Sequence, residues 1–209
     1  MARPIFRNRT KAPMTDPQTY APVWKRMAPY MAARRNDIHL PLCYAWVQQL
    51  CDAYPDADRD ICSLAIMLHD IGWYAIDHDR IMDEGFRSAN FLQSDVRYLH
   101  EAEGMRMARD ILAGTEWEPL TDAVCTIIDG HDTRKEPHDL NDRIVRDADK
   151  LWRYELAGLA VSIEWFQDEP RGYIDRVAAY LPLFETDRGR ALAETELEKT
   201  RVALMLHII

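Results

Sequence analysis

Apolar residues recur at intervals of three and four along almost the whole chain, and the strict alternation of a half-buried strand is nearly absent, which restricts the sequence to helices packed on helices. Leu64, Met67, Leu68 and Ile71 form one stripe, and Val47, Leu50 and Cys51 a second. Met105, Ala108, Ile111 and Leu112 form a third; Leu156, Leu159, Ala160, Ile163 and Phe166 form a fourth. Turn-forming stretches separate the stripes: YPDAD at 54–58, IGW at 71–73, AGTEWEP at 113–119, GHDTRKEPHDLND at 130–142 and DEPRG at 168–172. The punctuation predicts an all-α bundle of about eight to ten helices. Pro182, inside RVAAYLPLFE, should kink or end its helix because it lacks a backbone donor and clashes with the preceding turn.

At 209 residues the chain suits one substantial domain with a real core. Residues 1–15 begin with the basic MARPIFRNRTK, and no apolar run of the secretory kind follows, so they read as a flexible arm ahead of a domain over 16–209. No run approaches the roughly 18 residues that span a bilayer, which points to a soluble protein. Cys43, Cys51, Cys62 and Cys125 lie in predicted helices without CxxC spacing, the pattern of reduced thiols in a cytoplasm rather than of a disulfide framework. A formal net charge of −9 disfavours gripping nucleic acid and puts small substrates first. Residues 156–209 are amphipathic and poor in chemically suggestive groups; they read as packing, a lid or a homodimer face.

Four of the seven histidines have a distinctive context. His39 opens a helix, His69 closes an apolar one beside Asp70, His100 begins HEAEGMRMARDIL, and His131 follows the apolar run AVCTIID. Each sits on or beside a helix whose apolar face seeks the core, so the four imidazoles can converge on one cavity, as a metal site in a helical bundle requires. His78, His138 and His207 sit in polar turns or near the end of the sequence and are given no role. The segment RIVRDADKLWRY at 143–154 adds two aspartates, Asp147 and Asp149, around an Ala148 that reads as buried. Imidazole with carboxylate suits Fe, Mn, Zn, Co or Ni better than Ca or Mg, which prefer all-oxygen shells.

With His39, then His69–Asp70 in LHDIG, then the ADKL of residues 148–151, the chain resembles the HD-domain superfamily of metal-dependent phosphohydrolases over residues 35–155. The resemblance implies an HD-domain helical bundle holding two divalent transition metal ions, iron or manganese before zinc, cobalt or nickel. His39, His69 and Asp149 would hold one ion and His100 and His131 the second, with Asp70 bridging. It places Asp147 and Asp132 behind these ligands, Asp147 orienting one of them or pairing with Arg146. Gly72 is expected to terminate the helix that ends in the doublet.

The same resemblance implies a phosphohydrolase in which Asp70 holds both ions and a metal-activated hydroxide attacks a small phosphomonoester or nucleotide-type substrate. Lys150, Arg134 and Lys135 are the cations expected to meet the phosphate. One departure keeps the reaction class open: many two-metal relatives carry HDIGK, and this chain has Trp73 where they have lysine. The GYP signature of cyclic-dinucleotide hydrolases is missing, and one histidine, His131, followed by Asp132, stands where they have two. A rival reading is a mixed-valence di-iron oxygenase cleaving a C–C or C–P bond of, for example, a phosphonate. It is supported by Lys135 four residues after His131 and weakened by the absence of a glutamate near Tyr30. A third reading is a non-catalytic module that binds a metal or a nucleotide.

Overall fold

The computed structural model describes residues 16–88 and 90–206; the basic arm expected over 1–15 and His207 lie outside the described residues. In chain order the α-helices are α1 (Ala21–Met27), α2 (Asn36–Ala53), α3 (Arg59–Leu68), α4 (His78–Arg80), α5 (Val96–Leu112) and α6 (Thr121–Ile128). They continue with α7 (Leu140–Leu151), α8 (Leu156–Phe166), α9 (Pro170–Ala178) and α10 (Asp187–Leu206). No strand occurs among the described residues. None of the described helices is long and apolar enough to cross a membrane.

The centre of the bundle is α3. Asp58 starts it by accepting the amides of Asp60 and Ile61. From Cys62 to Leu68 every residue is buried, so the helix is apolar all round and must be enclosed on all sides. It packs against α2, α6 and α7, while α5 packs against α6 and the 3₁₀ turn Ile71–Ala75. All four cysteines are buried free thiols. α9 ends at Ala178, and Pro182 stands in a separate 3₁₀ turn, Leu181–Leu183, before α10.

α3 stops at Leu68 without using Gly72 as its terminator, which corrects the expected role of that glycine. Gly72 is buried in the following 3₁₀ turn, where a Cβ would run into the carbonyl oxygen of His100 and the amide nitrogen of Gly104. Its small size therefore serves a crossing: the Ile71–Ala75 turn lies directly on the backbone of α5. That contact sets the distance between the Asp70 end of α3 and the His100 face of α5.

Candidate metal centre

Five helices deliver the polar groups. His39 lies in the first turn of α2, His69 and Asp70 follow the last residue of α3, His100 lies on α5, and His131 follows α6. Asp149 comes from the last turn of α7. All six are buried, Asp149 the least so at 8% exposed. His39 Nε2 and His69 Nε2 lie 3.1 Å apart, and Asp149 Oδ1 lies 3.4 Å from each of them. His100 Nε2 and His131 Nε2 lie 3.3 Å apart.

Asp70 joins the two sets. Its Oδ2 lies 3.1 Å from His39 Nε2 and 3.6 Å from His69 Nε2. Its Oδ1 lies 3.6 Å from His100 Nε2 and 3.5 Å from His131 Nε2. Each oxygen therefore faces its own pair of imidazoles.

The lone pairs point inward because the backbone holds the other side of the rings. His69 Nδ1 lies 2.8 Å from the Ile66 carbonyl, His131 Nδ1 2.9 Å from that of Ile128, and His100 Nδ1 3.3 Å from that of Val96. A carbonyl only accepts, so each Nδ1 carries a proton, which leaves Nε2 to present a lone pair whenever the ring is neutral. Asp149 Oδ1 accepts no hydrogen bond although it is buried among these nitrogens. Acceptors gathered this closely repel one another unless something positive lies between them. Metal–ligand bonds of about 2.0–2.2 Å place neighbouring donors roughly 3–3.5 Å apart, close to the spacings seen here.

Burial pushes His39 down to about 4, and burial with the charge of His131 pushes His100 down to about 3, so both are neutral imidazoles, the form that can hold a metal. His131 is buried too, but its hydrogen bond to Asp70 and the charges of Asp132, Asp70 and Glu101 raise it to about 10. The field that holds a proton there is one that attracts a cation. Burial opposes ionisation of Asp70 and Asp149, yet Arg34 beside the one and Arg153 beside the other hold both well below the usual carboxylate range.

A family model described as HD domain matches residues 37–153, more than half of the chain. The chain belongs to the HD-domain family. Neither a curated protein nor a solved structure matches it. HD domains bind divalent metals, and among the described residues of this one the groups able to hold an ion are His39 with His69 and Asp149, His69 with Asp70 and His131, and His100 with Glu101 and His131.

The residues expected around the centre of this HD domain divide by helix geometry. Asp147 and Lys150 share α7 with Asp149, but successive residues on a helix turn by about 100°, so neither follows Asp149 inward. Asp147 accepts the amides of Glu185 and Thr186 at 2.8 Å each and the Thr186 hydroxyl at 2.7 Å, pinning the start of α10 rather than orienting a ligand or pairing with Arg146. The Lys150 ammonium lies 3.6 Å from Asp147 and 5.8 Å from the Phe184 ring centre. Arg134 is engaged in its own loop, pairing with Asp142 and donating to the Asp129 carbonyl, and Lys135 is exposed. Asp132 does reach the centre, with Oδ2 3.8 Å from His100 Nε2. Glu101 aims it by accepting the amides of Asp132 and Thr133 at 2.9 and 3.0 Å.

Four further side chains shape the site: Arg34, Trp152 and Arg153 escaped the motif reading, and Trp73 entered it only as the residue in the place of a lysine. Arg34 Nη1 donates to Asp70 Oδ2 at 2.6 Å, and the Trp73 indole donates to Oδ1 at 2.9 Å. Trp73 also stacks on His100, with ring centres 4.0 Å apart and planes 10° from parallel. Trp152 meets His39 edge-on at 4.6 Å, and Arg153 Nη1 lies 3.3 Å from Asp149 Oδ2. The Asp149–Arg153 spacing of four on a helical pattern was a readable signal.

Proposed function

We propose that this HD domain is a phosphohydrolase for small phosphorylated substrates, working at a binuclear centre in which Asp70 is shared. The division of one carboxylate between two imidazole pairs carries the reading. An imidazole nitrogen serves one cation, whereas a carboxylate can serve two that lie about 3.5–4 Å apart. In this reading His39, His69 and Asp149 hold one ion, His100 and His131 hold the other, and the nitrogen and oxygen donors suit iron or manganese ahead of zinc, cobalt or nickel. Such a pair of ions acidifies water and neutralises charge on a phosphoryl group.

The protein's own contribution is orientation. Trp73 on Oδ1 and Arg34 on Oδ2 fix the plane of the Asp70 carboxylate, and backbone carbonyls fix the tautomers of three imidazoles. Exposed faces and a net charge of −9 agree with a small substrate rather than nucleic acid.

The oxygenase reading uses the same six ligands and draws its support from Trp73 in the place of a lysine. Its expected anion contact, Lys135, is exposed. The two readings part in one experiment. Manganese-loaded protein is expected to hydrolyse a generic phosphomonoester, and iron-loaded, reduced protein is expected to show no oxygen uptake with candidate phosphonates. Oxygen uptake that depends on a phosphonate, without phosphomonoester turnover, would establish the rival; neither activity in metal-loaded protein would leave the binding module.

A further inference from the structure

We propose that Arg34 is the receptor for the anionic end of the substrate, and that the aromatic rings around it, closed by α8, restrict that end to a small dianion. The inference rests on the binuclear reading above for the position of the reacting group.

Arg34 is buried at 9% exposure and touches the centre through Asp70 Oδ2. Its Nε hydrogen, shut away from water, has no acceptor. A guanidinium needed only to neutralise Asp70 would gain from turning both donors of its fork on the carboxylate. Here Nη1 meets Asp70 while the Nε hydrogen, on the other edge of the guanidinium, is left over, so the group can bridge between the carboxylate and a second anion.

Three rings fix the guanidinium in this attitude: its carbon lies 5.1 Å from the centre of Trp73, 4.8 Å from Phe86 and 5.0 Å from Trp165. Trp165 comes from α8 and stacks on Phe86 at 5.2 Å. α8 reaches this position because Gly158 lies on the Trp152 carbonyl, where a Cβ would not fit. Trp152, whose indole N–H is a second buried donor with no acceptor, meets Trp165 at 5.7 Å.

The backbone is arranged to send this side chain inward. Arg34 and Arg35 are consecutive non-glycine residues in the left-handed region, with φ of 51° and 54°. Arginine has no preference for that region, and such strain persists where the surroundings impose it. The outcome is that Arg34 turns into the bundle while Arg35 stays exposed. Arg34 and Trp165 lie outside the matched residues 37–153, whereas Trp73 and Phe86 lie within them.

Charge selects the class of anion. Two divalent cations together with Arg34 and Arg153 outweigh the carboxylates of Asp70, Glu101, Asp132 and Asp149. A phosphoryl or phosphonyl dianion brings that sum nearer to neutrality than the monoanion of a phosphodiester does.

Calorimetric titration of the manganese-loaded full chain tests this, with inorganic phosphate, methylphosphonate and dimethyl phosphate as probes and metal content measured on every sample. Wild type is expected to bind the two dianions roughly tenfold or more tightly than the diester. Phosphate bound in preference to methylphosphonate points to an ester substrate, the reverse to a phosphonate, and both outcomes support the receptor. Arg34→Met is expected to weaken dianion binding by roughly tenfold or more with metal retained, and Arg34→Lys by less, since lysine keeps the charge and loses the fork. Trp165→Leu is expected to narrow the gap between dianion and diester. Dianion binding by Arg34→Met within about twofold of wild type, or equal binding of diester and dianion by wild type, overturns the proposal. If Arg34→Met does not fold, unchanged binding by Arg34→Lys overturns it. Wild type that takes up no metal contradicts the binuclear reading instead, and phosphate binding that still depends on Arg34 in that sample upholds the receptor.

Discussion

Asp70→Ala is expected to abolish metal binding in both halves of the centre, whereas His69→Ala and His131→Ala should each remove one ion and leave the other. The asymmetry follows from the two faces of one carboxylate: Oδ2 belongs to the His39–His69 set and Oδ1 to the His100–His131 set. The same substitution leaves Arg34 buried at 9% exposure without its counter-charge. Removing one partner of a buried pair costs about 3–5 kcal/mol, so the variant should also unfold at markedly lower denaturant concentration. Asp70→Asn separates the effects by keeping the shape and one acceptor oxygen while losing the charge. Elemental analysis with chemical denaturation of the four variants checks the pattern. Asp70→Ala that retains one tightly bound ion would show that the carboxylate is not shared.

Gly72→Ala is expected to be strongly disruptive for the addition of a single methyl group. Its Cβ would meet backbone atoms of α5, the His100 carbonyl and the Gly104 amide, which cannot step aside as a flexible side chain does. Relief requires α5 to move away from the Ile71–Ala75 turn, and His100 moves with it. Overpacking of this kind costs about 3 kcal/mol or more, and the displaced His100 should weaken the second ion site. Gly114→Ala is the control: Gly114 has φ of 69°, and a Cβ there has nothing within 4 Å. Backbone strain alone should cost it about 1 kcal/mol. Equal destabilisation of the two variants would contradict the account of Gly72.

The helical architecture was readable because periodicity integrates over many residues: the stripe through Leu64, Met67 and Leu68 lies in the part of α3 that is buried from Cys62 to Leu68. Convergence of the four histidines was readable for a related reason, since each stood where an apolar helix began or ended. Single-residue directions were harder. That Lys150 turns from Asp149 is a matter of about 100° of helix, available in principle from the sequence once α7 is drawn. The place of Gly72 was hidden because a glycine after a helix fits termination as well as close crossing, and only the position of α5 separates the two. Arg34 gave no signal at all. Nothing in RRND marks a left-handed turn, and the rings that receive the side chain, Trp73, Phe86 and Trp165, are far apart in the chain.

The central claim is that this HD domain holds two cations bridged by Asp70. Its most direct test is elemental analysis of the full chain purified without chelators and supplemented in turn with iron and manganese. The account predicts about two transition metal ions per chain. A value that stays near one under saturating metal would contradict it.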